Sequence, residues 1–163
     1  MIEKKKKKIY DAKYKDVREQ KIAYFATLKA KATKTPTGLQ YIITKKGGGK
    51  KPANGTNVFI HYAGFLEDGE LFDASVESVS KTFGKYDENR AAQNGYQPIP
   101  FQAGKKDGMI PGFIEGLEQL SFGDKAVIFI PSRLGYGAAG AGGVIPPNAN
   151  IIFEIELLEK MPQ

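Results

Sequence analysis

The first part of the chain carries apolar side chains at helical spacing. Residues 9–32 contain no Gly or Pro and are rich in Ala, Lys, Glu and Gln, a composition that favours helix. Apolar residues recur there three, four or seven positions apart, at Tyr10, Tyr14, Val17, Tyr24 and Leu28. The pattern predicts an amphipathic helix, broken by Lys21 on its apolar side and ended by the turn at residues 35–38. Such a stripe has to be buried, either on the rest of the chain or on a second chain.

After Gly38 the apolar period changes from that of a helix to that of a strand. Short segments with alternating or continuous apolar residues are predicted as strands, at residues 39–44, 57–65, 71–73, 99–103, 126–130 and 150–158. A single short helix is predicted over residues 111–120, with Pro111 in its first turn and Phe113 and Leu117 on one face. The order of elements predicts an α+β fold, an antiparallel sheet curled over a short helix and preceded by an N-terminal helix.

A long polar stretch separates two of the predicted strands. Irregular connections longer than about 12–15 residues are uncommon unless they are functional or disordered. Residues 76–97 contain aromatic side chains and a segment, 88–93, that favours a helical turn. We therefore predict an ordered insertion on the rim of the functional site. The predicted organisation is a basic helical extension, residues 1–36, followed by one domain, residues 37–163, that carries this insertion.

The net charge of +6 is unevenly distributed along the chain. Residues 1–51 hold 16 basic and four acidic side chains, a net charge of +12, whereas residues 52–163 carry a net charge of −6. The lysine run 4–8 is typical of a solvated, disordered tail. No groove of interleaved aromatic residues accompanies it, which argues against a nucleic-acid partner.

The sequence contains no predicted export signal and no predicted membrane span. No apolar core follows the lysines as in a secretory signal, and no stretch of about 18 apolar residues exists. We expect a cytoplasmic protein, or an exported one if the chain is part of a longer precursor.

Several familiar catalytic and cofactor sites are excluded by residue type. Without Cys there is no thiolate nucleophile, and the single histidine, His61, argues against a catalytic triad and against a multi-His metal site. Residues 135–140 match G-x-G-x-x-G, but Pro146 and Pro147 follow where a dinucleotide site needs a helix. We predict neither a cofactor nor a metal.

Aromatic residues close to Gly and Pro turns remain as candidates for chemistry. They are Tyr62, Phe72, Phe101, Phe113, Tyr136 and Phe153. These residues are consistent either with an ordinary aromatic core or with a small-ligand pocket, which is commonly apolar with a few polar groups. Asp73 directly follows Phe72, and a carboxylate beside aromatic rings needs hydrogen-bond partners.

Several motifs in this region resemble those of the FKBP-type peptidyl-prolyl cis-trans isomerases. The matching segments are His61-Tyr62-x-Gly64-x-Leu66-x-Asp68-Gly69-x-x-Phe72-Asp73-x-Ser75, Met109-Ile110-Pro111-Gly112-Phe113-x-x-Gly116, Tyr136-Gly137, and Val144-Ile145-Pro146-Pro147-Asn148. The similarity extends from about residue 37 to residue 160. Residues 38–41, after a charged helix, resemble the bacterial members with an N-terminal helical extension.

The resemblance implies a half-barrel sheet around the helix of Phe113 and a set of site residues. The residues implied in catalysis are Tyr62, Asp73, Phe113, Tyr136 and Phe153. Those implied in substrate binding are Phe72, Phe101, Met109, Ile110, Val144 and Ile145. Two positions depart from the family pattern: Ile99 stands where an aromatic residue is common, and Ala141 stands where some members carry His. These departures concern substrate preference and inhibitor affinity.

The resemblance also implies the activity, which is acceleration of cis/trans rotation about X–Pro bonds without a nucleophile or a cofactor. X–Pro polypeptides are the implied substrates and macrolide inhibitors the implied ligands. Apart from the resemblance, the apolar stripe of the N-terminal helix offers a dimer contact if a second chain buries it. The alternative is a non-catalytic chaperone or scaffold that binds Pro-containing segments.

Overall fold

The structure is a computed structural model that describes residues 2–162. Its helices are α1 (Ile2–Lys29), α2 (Glu77–Thr82), α3 (Glu88–Ala92) and α4 (Pro111–Leu117). Its strands are β1 (Thr33–Lys34), β2 (Gln40–Lys45), β3 (Asn57–Leu66), β4 (Leu71–Ala74), β5 (Ile99–Gln102), β6 (Lys125–Ile130) and β7 (Ile151–Leu158). Single 3₁₀ turns lie at Ser132–Leu134 and Gly137–Ala139.

All strand pairs are antiparallel and form one sheet in the order β1-β2-β6-β7-β3-β4. Strand β5 also pairs with β3. The second half of β3 pairs with β4, its first half pairs with β5, and β7 runs along its other edge. The predicted α+β class is confirmed, with an antiparallel sheet, a short central helix and an N-terminal helix.

The two faces of the sheet bury two separate hydrophobic clusters. One face packs on α4, where Phe113 and Leu117 meet residues such as Ile60, Ile128 and Phe153. Helix α4 begins at Pro111. Proline has no N–H, but an N–H in the first turn of a helix would have no intrahelical partner, so proline is well tolerated there. The rings and aliphatic side chains around this helix form the wall of the pocket described below.

The opposite face of the sheet is covered by α1 and α2. Phe25 is only 3% exposed and packs with Phe65 and Phe129, at ring-centroid distances of 5.3 and 6.3 Å. The stripe of α1 is therefore buried on its own chain, one of the two alternatives left open by the sequence. The assignment of Tyr24 to this stripe is wrong, because Tyr24 is 42% exposed and the adjacent Phe25 takes the buried position.

Helix α1 is also longer at its N-terminus than the apolar pattern predicts. It begins at Ile2, and Lys5–Lys8 are exposed on its surface. The interpretation of the lysine run as a disordered tail is therefore wrong. Lys is a good helix former, and Lys7 pairs with Asp11 one turn later at 3.1 Å.

Candidate active site

A cavity of about 220 Å³ opens beside the N-terminus of α4. Strands β3, β4, β5 and β7 contribute to its walls, together with the segment that leads into α4 and the loop after β6. Its lining residues are Tyr62, Phe72, Asp73, Ile99, Gly108, Met109, Ile110, Phe113, Tyr136 and Phe153. Eight of these ten are among the residues that the sequence comparison implied for the site. The cavity is therefore mostly aromatic and aliphatic, with one carboxylate and two phenols.

Phe153 is the centre of the aromatic part of the cavity. Its ring meets those of Phe113, Phe72 and Tyr62 at centroid distances of 5.0, 5.5 and 6.3 Å. All three pairs are edge-to-face, with interplanar angles of 84°, 85° and 61°, the arrangement that the ring quadrupole favours. Interlocked rings of this kind make a rigid apolar surface.

Gly64 allows two of these rings to pack against the sheet. A Cβ atom at this position would lie 2.4 Å from Cζ of Phe72 and 2.7 Å from Cε1 of Phe153. Both distances are too short for any side chain, so the wall requires glycine in the middle of β3. The conformational cost of glycine in a strand is thereby offset by the packing of the pocket.

The polar groups of the cavity converge on the carboxylate of Asp73. The Tyr62 hydroxyl donates to Asp73 Oδ2 at 2.6 Å, and Arg90 Nη1 donates to Asp73 Oδ1 at 3.0 Å. Burial, followed by the hydrogen bond to Asp73, raises the pKa of Tyr62 to about 12. Tyr62 therefore remains a protonated donor at physiological pH. The two donors hold the carboxylate at a fixed position in the wall.

Arg90 comes from the insertion and was not predicted. Asp87 accepts a hydrogen bond from the Arg90 backbone N–H at 3.1 Å and caps α3. The side chain donates from Nε to the Gly95 carbonyl at 3.0 Å and stacks its guanidinium 4.5 Å from the Tyr96 ring centroid. One sequence signal pointed to it: the insertion contains a single Arg, in a chain with only three.

Tyr136 and Ile110 lie on other sides of the same cavity. Burial raises the pKa of Tyr136, with a further contribution from Asp73, so its hydroxyl also stays protonated. Ile110 is the N-cap of α4, and its carbonyl accepts from Phe113 N–H and Ile114 N–H. Its own N–H precedes the helix and takes no part in the helical hydrogen bonds. Both groups can donate to a carbonyl oxygen of a bound peptide.

The profile of the FKBP-type peptidyl-prolyl cis-trans isomerase family matches residues 48–158. This chain belongs to that family. It is 37% identical over 121 residues to FK506-binding protein 1 of Dictyostelium discoideum, covering 74% of this chain and 96% of that protein. It is 38% identical over 153 residues to the isomerase FkpA of Escherichia coli K12, covering 93% of this chain but only 47% of FkpA.

Solved structures agree with the family assignment. The crystal structure of E. coli FkpA superposes with a TM-score of 0.60 at 34% identity, covering 98% of this chain and 62% of that one. An isomerase from Pseudomonas syringae superposes with a TM-score of 0.61 at 27% identity, covering 94% and 96% of the two chains. The chain thus spans about half of the FkpA sequence and nearly all of some other FKBP-type relatives.

Three of the FKBP-type site residues implied by the sequence lie outside the cavity. Phe101 lines a neighbouring cavity with Leu117, Ile145 is buried in the cluster around α4, and Val144 is 54% exposed on the loop after β6. Ile99, one of the two departures from the family pattern, lines the cavity itself. An aliphatic side chain there leaves the cavity wider than an aromatic ring would.

Residues 2–162 contain no group of three or more carboxylate and imidazole side chains placed to hold a metal ion. None of the helices described is long and apolar enough to cross a membrane. After Gly135 the chain forms a 3₁₀ turn, Gly137–Ala139, and not the longer helix that a dinucleotide would need.

Proposed function

We propose that the chain accelerates cis/trans rotation about X–Pro peptide bonds by binding the proline ring in the cavity around Phe153. The observation that supports this most directly is the set of rings of Phe72, Phe113 and Tyr62, packed edge-to-face on Phe153. They form an apolar surface on which the apolar proline ring can pack. Family membership supports the same reaction.

The proposed mechanism is stabilisation of the twisted amide. The barrier to rotation is about 18–20 kcal/mol because amide resonance is lost. At the transition state the C–N bond is nearly single and the carbonyl less dipolar. An apolar cavity stabilises this species relative to the planar amide, whose dipole is better solvated by water. No proton has to leave the protein, in keeping with the raised pKa values of Tyr62 and Tyr136.

We assign the polar groups to binding and orientation of the peptide. The Ile110 N–H and the Tyr136 hydroxyl donate to peptide carbonyls on either side of the proline. Asp73, held by Tyr62 and Arg90, fixes the wall against which the residue before proline rotates. Each of these roles lowers the entropy of the bound peptide in a bent conformation.

The activity is tested with a peptide that has an apolar residue before proline, in a protease-coupled or NMR exchange assay. We expect exchange faster than background, and a loss of at least about tenfold in kcat/KM for Phe113→Ala, since the truncation removes a ring of the cavity wall that would contact the twisted amide. Tyr24→Ala, an exposed aromatic residue on α1, is the matched control. A rate equal to background for the wild-type chain would refute the proposed function.

Binding of FK506-type macrolides follows from the same cavity. Relatives in Dictyostelium and Neisseria meningitidis are named for binding FK506. Such a ligand is expected to compete with the peptide and to inhibit exchange. The aliphatic Ile99 is expected to weaken this affinity, and Ile99→Phe to increase it.

The alternative, a non-catalytic chaperone or scaffold, is not favoured by the comparisons. It predicts that aggregation suppression survives Phe113→Ala and depends on α1 or on residues 76–97. Suppression that is lost together with exchange in this variant would exclude it.

Three further points remain predictions. They are a domain boundary near residue 36, a dimer contact through α1, and a cytoplasmic location or export as part of a longer precursor. Ile9 and Ile22 are exposed on α1, and we expect such a dimer to form through them. Sedimentation of the wild-type chain and of Ile22→Asp tests it, with a concentration-dependent dimer expected only for the wild type. Fractionation of cells that produce the protein identifies the compartment.

A further inference from the structure

Helix α1 contacts the insertion as well as the sheet. The Tyr10 hydroxyl donates to the carbonyls of Phe83 and Gly84, at 3.2 Å each. The ring of Tyr14 lies directly on Gly84, where a Cβ atom would come within 2.4 Å of Tyr14 Cε2. Gly84 has φ +75°, so this approach depends on glycine both for space and for backbone conformation.

A short covalent path connects this contact with the active site. Phe83 ends α2 and packs on Phe65 at a ring-centroid distance of 5.0 Å. Three residues after Gly84, Asp87 caps α3, and three residues later Arg90 reaches Asp73 in the cavity wall. The position of the Arg90 guanidinium is therefore set within six residues of the α1 contact.

The insertion has little structure of its own to hold this geometry. Its helices α2 and α3 contain six and five residues, too few for stable isolated helices in water. No strand forms between β4 and β5. Its ordering has to come from contacts with other elements. Before α3 these are the contacts of Tyr10 and Tyr14 with Phe83 and Gly84, followed by the ion pair of Lys85 with Glu70 at 2.9 Å.

We propose that Tyr10 and Tyr14 are positioning residues of the isomerase site, which fix the insertion so that Arg90 holds Asp73. This inference rests on the proposed function for its effect on catalysis. Neither tyrosine lines the cavity, so their effect on the reaction passes through Arg90. The N-terminal helix is then part of the catalytic unit and not only an extension attached to it.

The test compares Tyr14→Ala with Tyr14→Phe in the full chain. Coupling between sites of this kind typically changes rates by about three- to tenfold. We expect a loss of that size in kcat/KM for Tyr14→Ala, and wild-type behaviour for Tyr14→Phe, which keeps the ring on Gly84. Tyr24→Ala on the same helix is the matched control and is expected to retain wild-type activity.

A double-mutant cycle separates positioning from general destabilisation. In an Arg90→Ala background, Tyr14→Ala is expected to cause no further loss, because the group that it positions is already absent. An equal fold loss in both backgrounds would overturn the proposal, as would wild-type activity of Tyr14→Ala.

A second measurement does not depend on catalysis. The Arg90 Nε–H donates to the Gly95 carbonyl, and its hydrogen is therefore expected to exchange slowly with water in NMR experiments. The resonance is assigned from the signal that disappears in the spectrum of Arg90→Ala. Tyr14→Ala should accelerate this exchange, and Tyr24→Ala should not. If the wild-type chain lacks isomerase activity but shows this difference, the proposed function fails and the positioning role stands. Unchanged Arg90 exchange in Tyr14→Ala refutes the positioning role.

Discussion

At the scale of single residues, the carboxylate of Asp73 has a donor on each oxygen. Tyr62 occupies one and Arg90 the other. Charge-assisted hydrogen bonds of this kind are stronger than neutral ones. They fix the orientation of the carboxylate in the cavity wall. We therefore expect Asp73 to contribute to the shape and polarity of the site.

Removing the Tyr62 hydroxyl tests the value of this arrangement. Tyr62→Phe keeps the edge-to-face contact with Phe153 but removes the hydrogen bond to Asp73. We expect a loss of about three- to tenfold in kcat/KM with little change in stability, since Asp73 keeps Arg90 and is partly solvated. Tyr41→Phe, outside the cavity, is the control, and equal activity of both variants would contradict the role given to Tyr62.

His61 provides a prediction on pH and stability. Burial lowers the pKa of His61 below its ordinary value of 6.5, and Glu156 opposes this shift. Below pH 6.5 the unfolded chain consequently binds more protons at this residue than the folded chain, so stability falls as the pH decreases through this window. We expect the urea midpoint to drop less between pH 7.5 and 5.5 in His61→Gln than in the wild type. An identical drop would show that His61 is not responsible.

The residues of the cavity could be predicted to different extents. Phe72, Asp73 and Phe113 lie in short sequence motifs that resemble those of the FKBP-type family, so these residues could be identified from the sequence. Arg90 lies in a stretch without periodicity, and its partner Asp73 is 17 positions away. Only the path of residues 76–97 brings the two together, and no local pattern encodes that path.

At the scale of elements, the alternation of apolar residues predicts the strands more accurately than the apolar stripe predicts the buried face of α1. Alternation identifies strands such as β7, because alternate side chains of a strand point to the same face of the sheet. In α1, Tyr24 and Phe25 are both aromatic and adjacent, and either fits a three- or four-residue spacing from its neighbours. The choice depends on the rotation of the helix about its axis. The ion pair between Lys21 and Glu154, at 2.8 Å, shows that Lys21 also faces the sheet.

The two aromatic neighbours on α1 offer a direct test of this orientation. Phe25→Ala is expected to lower the free energy of unfolding by about 3–5 kcal/mol, as for other buried aromatic side chains. Tyr24→Ala, at an exposed position, is expected to change it by about 0.5 kcal/mol or less. Urea unfolding of both variants gives the comparison. Similar losses for the two would mean that the helix is rotated from the described position.

At the scale of the whole molecule, the basic helix and the acidic domain form one folded unit. The face of β3, β6 and β7 beneath α1 contains apolar residues such as Phe65, Val127, Phe129 and Ile152. These residues would contact water if the helix were absent. The uneven distribution of charge along the sequence therefore does not mark two independently folded parts.

Deletion of residues 1–36 tests this interpretation. The truncated chain is expected to unfold at lower temperature and to bind a hydrophobic dye, because the apolar face beneath α1 is uncovered. Deletion of residues 1–8 alone removes the exposed lysines and is expected to leave both properties near those of the wild type. A truncated chain as stable as the full one would show that α1 contributes nothing to the core.

The pairing of β3 with both β4 and β5 brings the two ends of the insertion close together. Ala74 is paired with Ala63, and Ile99 with Ile60, so the intervening residues leave and rejoin the same strand only three positions apart. At about 3.3 Å per residue, the two anchor points are about 10 Å apart. A connection between two such close anchor points can differ in length without any change in the register of the sheet.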